Sequence, residues 1–412
     1  MRNDGTGTRV AVLGGGLLGC CTALVLAGRG ARVTIFDRAD RLIDRTSAHN
    51  EGKIHFGYVY AGDSSLATAR MMVEGALSFG PFLKNHLGLS PEQVTLSSPF
   101  VYVVHADTQR GLDYLSGYFG AVHALIEDAA GSQRDCYFGA DVRQAPRKWS
   151  AGELAAAFDP AKAVAAFDTQ ELSLDPYALA QAVRERIAEI PAIELRLGHT
   201  VRSVGEAGAR LTVVSDGPDG AARDDYDHVV NALWDGRLAV DASLGIRPKR
   251  RWLYRFRYGL RFERLELPAT APSLTIVHGQ FGGIVRYANG AVYMTWYPAC
   301  KIDASDKIDP PDWPPYATEP LRSRIIRDTV GALTKVLPAI GALDPDDFAN
   351  ASVVGGNIFA WGSTDTDDPA SELHQRHDIG VVSRGNYHSV DPGKLSLTPY
   401  FAEICADRIV PP

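Results

Sequence analysis

The chain opens on an apolar run, Val10-Ala-Val-Leu13, that stops at three consecutive glycines and resumes as a helix-like run from Leu17 to Ala27. A second strand comes next, Arg32-Val-Thr-Ile-Phe36, ending at Asp37. After a polar, glycine-bearing loop over 38–57, Ala67, Met71, Met72, Ala76, Phe79 and Leu83 recur at helical spacing, which predicts a helix over 64–86. Phe100 to His105 reads as a strand, 109–119 as a helix, and Asp175-Pro176 as the start of a helix running to Glu189. Strands are predicted at 193–204, 209–215 and 226–232, with Asp216 to Gly220 as the turn between the last two.

Residues 251–263 alternate. Trp252, Tyr254, Phe256, Tyr258, Leu260 and Phe262 face one way, and Leu253, Arg255, Arg257, Gly259 and Arg261 the other. A hairpin is expected over 281–287 and 291–297 around Asn289-Gly290. A Pro- and Asp-rich loop fills 303–320, and a helix covers 320–336. The last sixty residues hold short strands, a glycine-bearing loop at 391–394 and a helix over 396–409. No repeat or low-complexity tract interrupts this order.

A length of 412 residues favours two domains. A net charge of -7 with no basic tail argues against a nucleic-acid partner. Cys20, Cys21, Cys136, Cys300 and Cys405 are scattered and odd in number, so neither a disulfide framework nor a metal site is expected. No secretory signal and no membrane-spanning run is read, which makes a cytoplasmic location the expectation. Oligomeric state is left open.

Gly14, Gly16 and Gly19 form a Gly-x-Gly-x-x-Gly turn between strand and helix. The first permits the tight turn, the second lets backbone approach a pyrophosphate, and the third lets helix pack on strand. The helix N-terminus, at Leu17 and Leu18, offers N–H groups to phosphate. Asp37, about 20 residues on, is placed to accept the hydroxyls of an adenosine ribose, with Arg38 beside it. The combination predicts a dinucleotide site.

Downstream of Asp37 the pattern departs from a nicotinamide dehydrogenase. Thr46 to Gly57 carries His49, Asn50, Gly52, Lys53, Ile54 and His55; Val229 to Ala232 closes on Trp234; and Gly393, Lys394, Leu395 and Ser396 run into the last helix. In these segments the chain resembles the D-amino-acid oxidase superfamily of FAD-dependent oxidoreductases. It is most similar to the glycerol-3-phosphate and L-2-hydroxyglutarate dehydrogenase branch.

The resemblance implies a mixed α/β and α+β fold. A Rossmann-like FAD-binding domain would comprise 1–96, 169–243 and 346–412. A discontinuous antiparallel-sheet substrate domain would comprise 97–168 and 244–345. It implies oxidation of a C–OH or C–N bond of a small polar substrate by hydride transfer to flavin N5. Val201 resembles the strand whose backbone contacts adenine. Gly393 to Ser396 would aim N–H groups at the flavin N1–C2=O edge.

His55 is the expected acid–base residue, against the alternative that it only packs near the flavin. Relatives that bind FAD covalently carry a histidine near the place of His49, so a bond there is the alternative to non-covalent FAD. Arg255, Arg257 and Arg261 read as a solvated sheet face, with binding of an anionic substrate as the alternative. Arg286, taken as a second catalytic residue, and Arg384 are separate candidates. The hairpin aromatics up to Trp296 are expected to wall the flavin. The competing readings are an aromatic-hydroxylase-type monooxygenase and a catalytically silent FAD-binding or tRNA-modifying scaffold.

Overall fold

The computed structural model describes residues 7–132 and 137–412, so Cys136 lies outside the described residues. Two large sheets organise the chain. In the first, strands run in the order Gly380–Arg384, Tyr387–Asp391, His228–Asn231, Arg9–Leu13, Arg32–Asp37, Ile193–Leu197. All neighbours are parallel except the first pair. A parallel strand buried on both faces needs an unbroken apolar run, and Val10 to Leu13 supply it. The helix Leu17–Gly28 covers one face and is buried from Leu17 to Leu26. The helix Thr398–Asp407 packs against it, and Arg29 pairs with Glu403 and Asp407 across the join.

The nine-stranded second sheet runs Lys301–Ser305, Trp252–Phe262, Val292–Trp296, Gly282–Arg286, Ser273–Val277, Phe100–His105, Ala163–Asp168, Arg147–Lys148. Ser352–Trp361 also pairs with Trp252–Phe262, along residues 252–261. The sheet is not wholly antiparallel: Ser273–Val277 and Phe100–His105 run parallel. Residues 352–361, grouped by sequence with the nucleotide-binding segments, belong to this sheet.

Several boundaries move. The helix expected over 109–119 extends over Leu112–Ala130, because Val122 and Ile126 continue the buried face begun by Leu115, Tyr118 and Phe119. Gly117 and Gly120 lower its propensity, and tertiary burial overrides them. The strand expected at 193–204 breaks into Ile193–Leu197 and Thr200–Ala207 at Gly198, whose φ of 70° lies in the left-handed region. Gly220–Tyr226 adds a strand to form a three-stranded antiparallel meander. The last helix begins at Thr398, after a short 3₁₀ turn over Leu395–Leu397.

No helix among the described residues is long and apolar enough to cross a membrane. Cys20, Cys21, Cys300 and Cys405 are free and buried.

Candidate active site

A cavity of about 660 Å³ opens at the C-terminal edge of the first sheet. The glycine turn borders it, and its geometry explains its residues. Gly14 has φ 101°, and a Cβ there would come within 2.7 Å of the Ala232 carbonyl. A Cβ on Gly19 would sit 1.9 Å from the Gly14 carbonyl oxygen. Gly19 therefore does not line the cavity; it lets helix and strand meet beneath it.

Asp37 does line the cavity. Its Oδ2 accepts from the Gly15 N–H at 2.6 Å and its Oδ1 from the Ala39 N–H at 2.8 Å. Burial pushes its carboxyl above the usual range, against those two N–H groups. Gly16, Leu17, Leu18, Arg38, Val201, Ala232 and Trp234 border the same space. The Leu17 N–H donates to Ser47 Oγ at 3.1 Å, a partner the sequence does not announce. Arg38 pairs with Asp235 at 3.3 Å, near the rim.

The segment 46–57 crosses between the sheets. Asn50 pins it, donating to the Thr46 and Ser47 carbonyls and accepting from the Gly52 N–H. Gly52 has φ 60° and faces the Leu174 carbonyl so closely that a Cβ would lie 1.8 Å away. His49 borders the long cavity with Nδ1 3.2 Å from the Gly355 carbonyl. Ile54 is fully buried, and Gly52 and Ile54 shape the backbone without lining the cavity.

Ser396 is a clip. Its hydroxyl accepts from the His55 N–H at 2.8 Å and donates to the Lys53 carbonyl at 3.2 Å. Gly393, Lys394 and Leu395 line the cavity, but Gly393 N–H donates to Asp391 and Lys394 N–H to the Pro392 carbonyl. These two donors are committed within the loop, unlike the expected array of outward-pointing N–H groups.

Glu51, Lys53, His55, Arg257, Tyr293, Ile358 and Lys394 border this cavity and also a second chamber of about 200 Å³ against the second sheet. At the junction lies a residue sequence reading missed. Glu171, fully buried, accepts from Tyr102 OH at 2.5 Å and the Phe56 N–H at 2.7 Å. It stands 3.5 Å from Lys53 Nζ and 3.6 Å from His55 Nδ1. Burial opposes its ionisation, but His55, Lys53 and Tyr102 outweigh burial and hold its carboxyl near about 2. Burial pushes His55 below its ordinary range, so the imidazole is neutral near pH 7. Burial also draws Lys53 down to about 8, against the pull of Glu171. Its ammonium lies 3.5 Å from the centre of the Phe100 ring.

The arginine face is not solvated. Arg255 and Arg261 are buried, because Ser352–Trp361, Lys301–Ser305 and distant loops close over the strand. Arg255 donates to Tyr297 OH and Asp365, both at 2.8 Å. Arg257 pairs with Glu51 at 3.5 Å and Arg261 with Asp175 at 2.9 Å. Gly259 leaves room for Tyr293, whose hydroxyl would lie 2.0 Å from a Cβ there. Arg286 is placed away from both cavities, its guanidinium donating to the Pro268 and Ala271 carbonyls. Arg384, exposed, lies at the edge of the first sheet and donates to the Leu244 carbonyl. Trp296 packs beside the second core and lines neither cavity, whereas Tyr293 and Tyr297 line the chamber.

The glycine turn, the buried acid at the end of the second strand and the length of the cavity fit a dinucleotide flavin. Comparison with known proteins agrees. One curated protein, the FAD-dependent monooxygenase FPY4 of Fusarium mangiferae, is 36% identical over 55 residues. That match spans 13% of this chain and 15% of the fungal protein's length. Among solved structures, L-proline dehydrogenase from P. horikoshii superposes with a TM-score of 0.65 at 14% identity, over 98% of this chain and 93% of that one. Glycine oxidase from Geobacillus kaustophilus gives 0.65 at 14% identity over 97% and 94%. L-alpha-glycerophosphate oxidase from Mycoplasma pneumoniae, solved with FAD bound, gives 0.63 at 14% identity over 97% and 94%. The family model described as "DAO: FAD dependent oxidoreductase" matches residues 9–365. The chain belongs to this family of FAD-dependent oxidoreductases.

Proposed function

We propose that the enzyme oxidises a C–OH or C–N bond of a small polar substrate held in the smaller chamber. The observation that carries this reading is the continuity of the two spaces. The long cavity begins at the glycine turn and ends at His55 and Lys394, where the chamber opens. The first sheet then carries the cofactor and the second roofs the substrate.

Bound FAD supplies the two-electron acceptor, its flavin N5 taking the substrate hydride. The protein's part is to orient the substrate and move one proton. His55, neutral and at the junction, accepts the proton from the substrate hydroxyl or ammonium. The imidazolium so formed lies beside the Glu171 carboxylate, which stabilises the added charge. The segment that carries His55 is held at its backbone by Ser396 and Glu171, which fixes where the ring stands.

The test is an anaerobic screen of hydroxy acids, amino acids, sugars and amino sugars for bleaching of the flavin's visible absorption. Bleaching by one class supports the reading. In His55→Asn the reduction rate falls by about 100-fold or more while FAD content stays. NAD(P)H consumption with no bleaching by any of these compounds overturns it and favours a monooxygenase. A mass gain equal to FAD that survives denaturation identifies a covalent bond at His49, and its absence excludes one.

A further inference from the structure

The smaller chamber is lined by five cationic side chains, Lys53, Arg255, Arg257, Arg376 and Lys394. Three meet carboxylates: Lys53 with Glu171, Arg255 with Asp365, and Arg257 with Glu51. Among the described residues, Arg376 and Lys394 have no carboxylate within ion-pair distance. Asp365 is moreover shared between Arg255 and Lys301.

Arg376 is only 6% exposed. Its Nε and Nη1 donate to the Leu373 and Phe359 carbonyls at 2.8 and 3.0 Å, which hold the guanidinium in place without neutralising it. A charge so far out of water and unpaired is costly unless a ligand completes it. Other atoms of the same wall also wait for partners. Tyr60 OH, Arg255 Nε, His278 Nδ1 and Thr295 Oγ1 are buried and have no hydrogen-bond partner. The glycine turn, which suits the cofactor's phosphates, borders only the long cavity, so these cations are surplus to it.

We propose that the chamber's substrate carries two negative charges, as a phosphate monoester or a dicarboxylate, with Arg376 and Lys394 supplying the two unmatched cations. This rests on the reading of the chamber as the substrate site. A zwitterionic or singly charged substrate leaves part of the excess unmatched. Guanidinium groups suit such a ligand because their forked donors match carboxylate and phosphate oxygens.

Calorimetric titration of the FAD-loaded enzyme at pH 8 and fixed ionic strength tests the proposal, with inorganic phosphate, succinate, acetate and glycine as probes. Phosphate or succinate is expected to bind about 10-fold or more tightly than acetate and glycine. Tight binding of phosphate alone points to the ester, and of succinate alone to the dicarboxylate. Arg376→Gln is expected to weaken the preferred dianion about 10-fold or more and acetate by much less.

Equal affinities across the charge series, or an unchanged dianion affinity in Arg376→Gln, overturn the proposal. Should Arg376→Gln lose its FAD because the two carbonyls need bracing, Lys394→Gln replaces it. The wild-type charge series decides without either variant. If neutral or zwitterionic compounds bleach the flavin while dianions fail to bind, the oxidase reading stands and this one falls. If dianions bind tightly and no candidate bleaches the flavin, the charge assignment stands and the oxidase reading falls.

Discussion

Replacing Glu171 by glutamine isolates the buried ionic network at the junction. The substitution keeps the shape of the side chain and removes its charge, so it imitates a Glu171 that cannot ionise. A carboxyl that titrates at about 2 instead of its ordinary 4.5 favours the folded state by about 3 kcal/mol at pH 7. Loss of one partner from a buried ion pair gives the same order, about 3 to 5 kcal/mol.

The sign fixes a pH signature. The folded pKa is depressed, so the stabilisation is complete above pH 4.5 and fades as pH falls toward 2. The gap between wild type and Glu171→Gln should be about 3 kcal/mol at pH 7 and about 2 kcal/mol at pH 3.5. Urea unfolding monitored by tryptophan fluorescence, at equal FAD concentration and at both pH values, measures it. A gap below about 1 kcal/mol at pH 7, or one independent of pH, refutes the reasoning.

The same contacts set three further outcomes. Gly19→Ala drives a Cβ into the Gly14 carbonyl and should cost at least about 2 kcal/mol with loss of bound FAD; full FAD content at an unchanged Tm contradicts it. Arg261→Met breaks the pair with Asp175, which keeps Asn289 and the Tyr177 N–H as donors, so a loss of about 3 kcal/mol is expected with flavin reduction unchanged. A change within about 0.5 kcal/mol would instead mark a solvated residue. Burial and the neighbouring Arg376 hold the Lys394 amine near about 7, a folded pKa below its ordinary 10.5. Its charge therefore destabilises the fold at neutral pH, and that penalty disappears as pH rises from 7 to 10.5. Lys394→Met should accordingly gain up to about 3 kcal/mol at pH 7, and denaturation at pH 9.5 should show most of the gain gone.

The nucleotide end of the site was legible because its constraints are local. Gly14 is required by a left-handed φ and Gly19 by a contact five residues away, so both needs leave their mark within one short segment. The chemistry end depends on contacts that no local pattern reveals. Alternation over 252–262 identified two faces but not that both are covered. The partners of Arg255, Arg257 and Arg261 are Asp365, Glu51 and Asp175, each far away in sequence. Glu171 stands alone after a strand, and Arg376 in an irregular loop, with no periodicity to mark either. Ser396 sits in the expected segment, yet its hydroxyl serves the backbone of 53–55.

The order of strands in the first sheet bears on how the protein is made. The strand Arg9–Leu13 needs His228–Asn231 beside it, which in turn needs Tyr387–Asp391. The apolar helix Leu17–Gly28, buried almost along its length, is covered in part by Thr398–Asp407. On the ribosome, these early segments therefore emerge long before the residues that shelter them. Pairings this distant close slowly. During that interval an almost wholly apolar helix is exposed, which makes the nascent chain a natural client for chaperones. Fusions or truncations that remove residues 387–407 should fail at synthesis and solubility before they fail at catalysis.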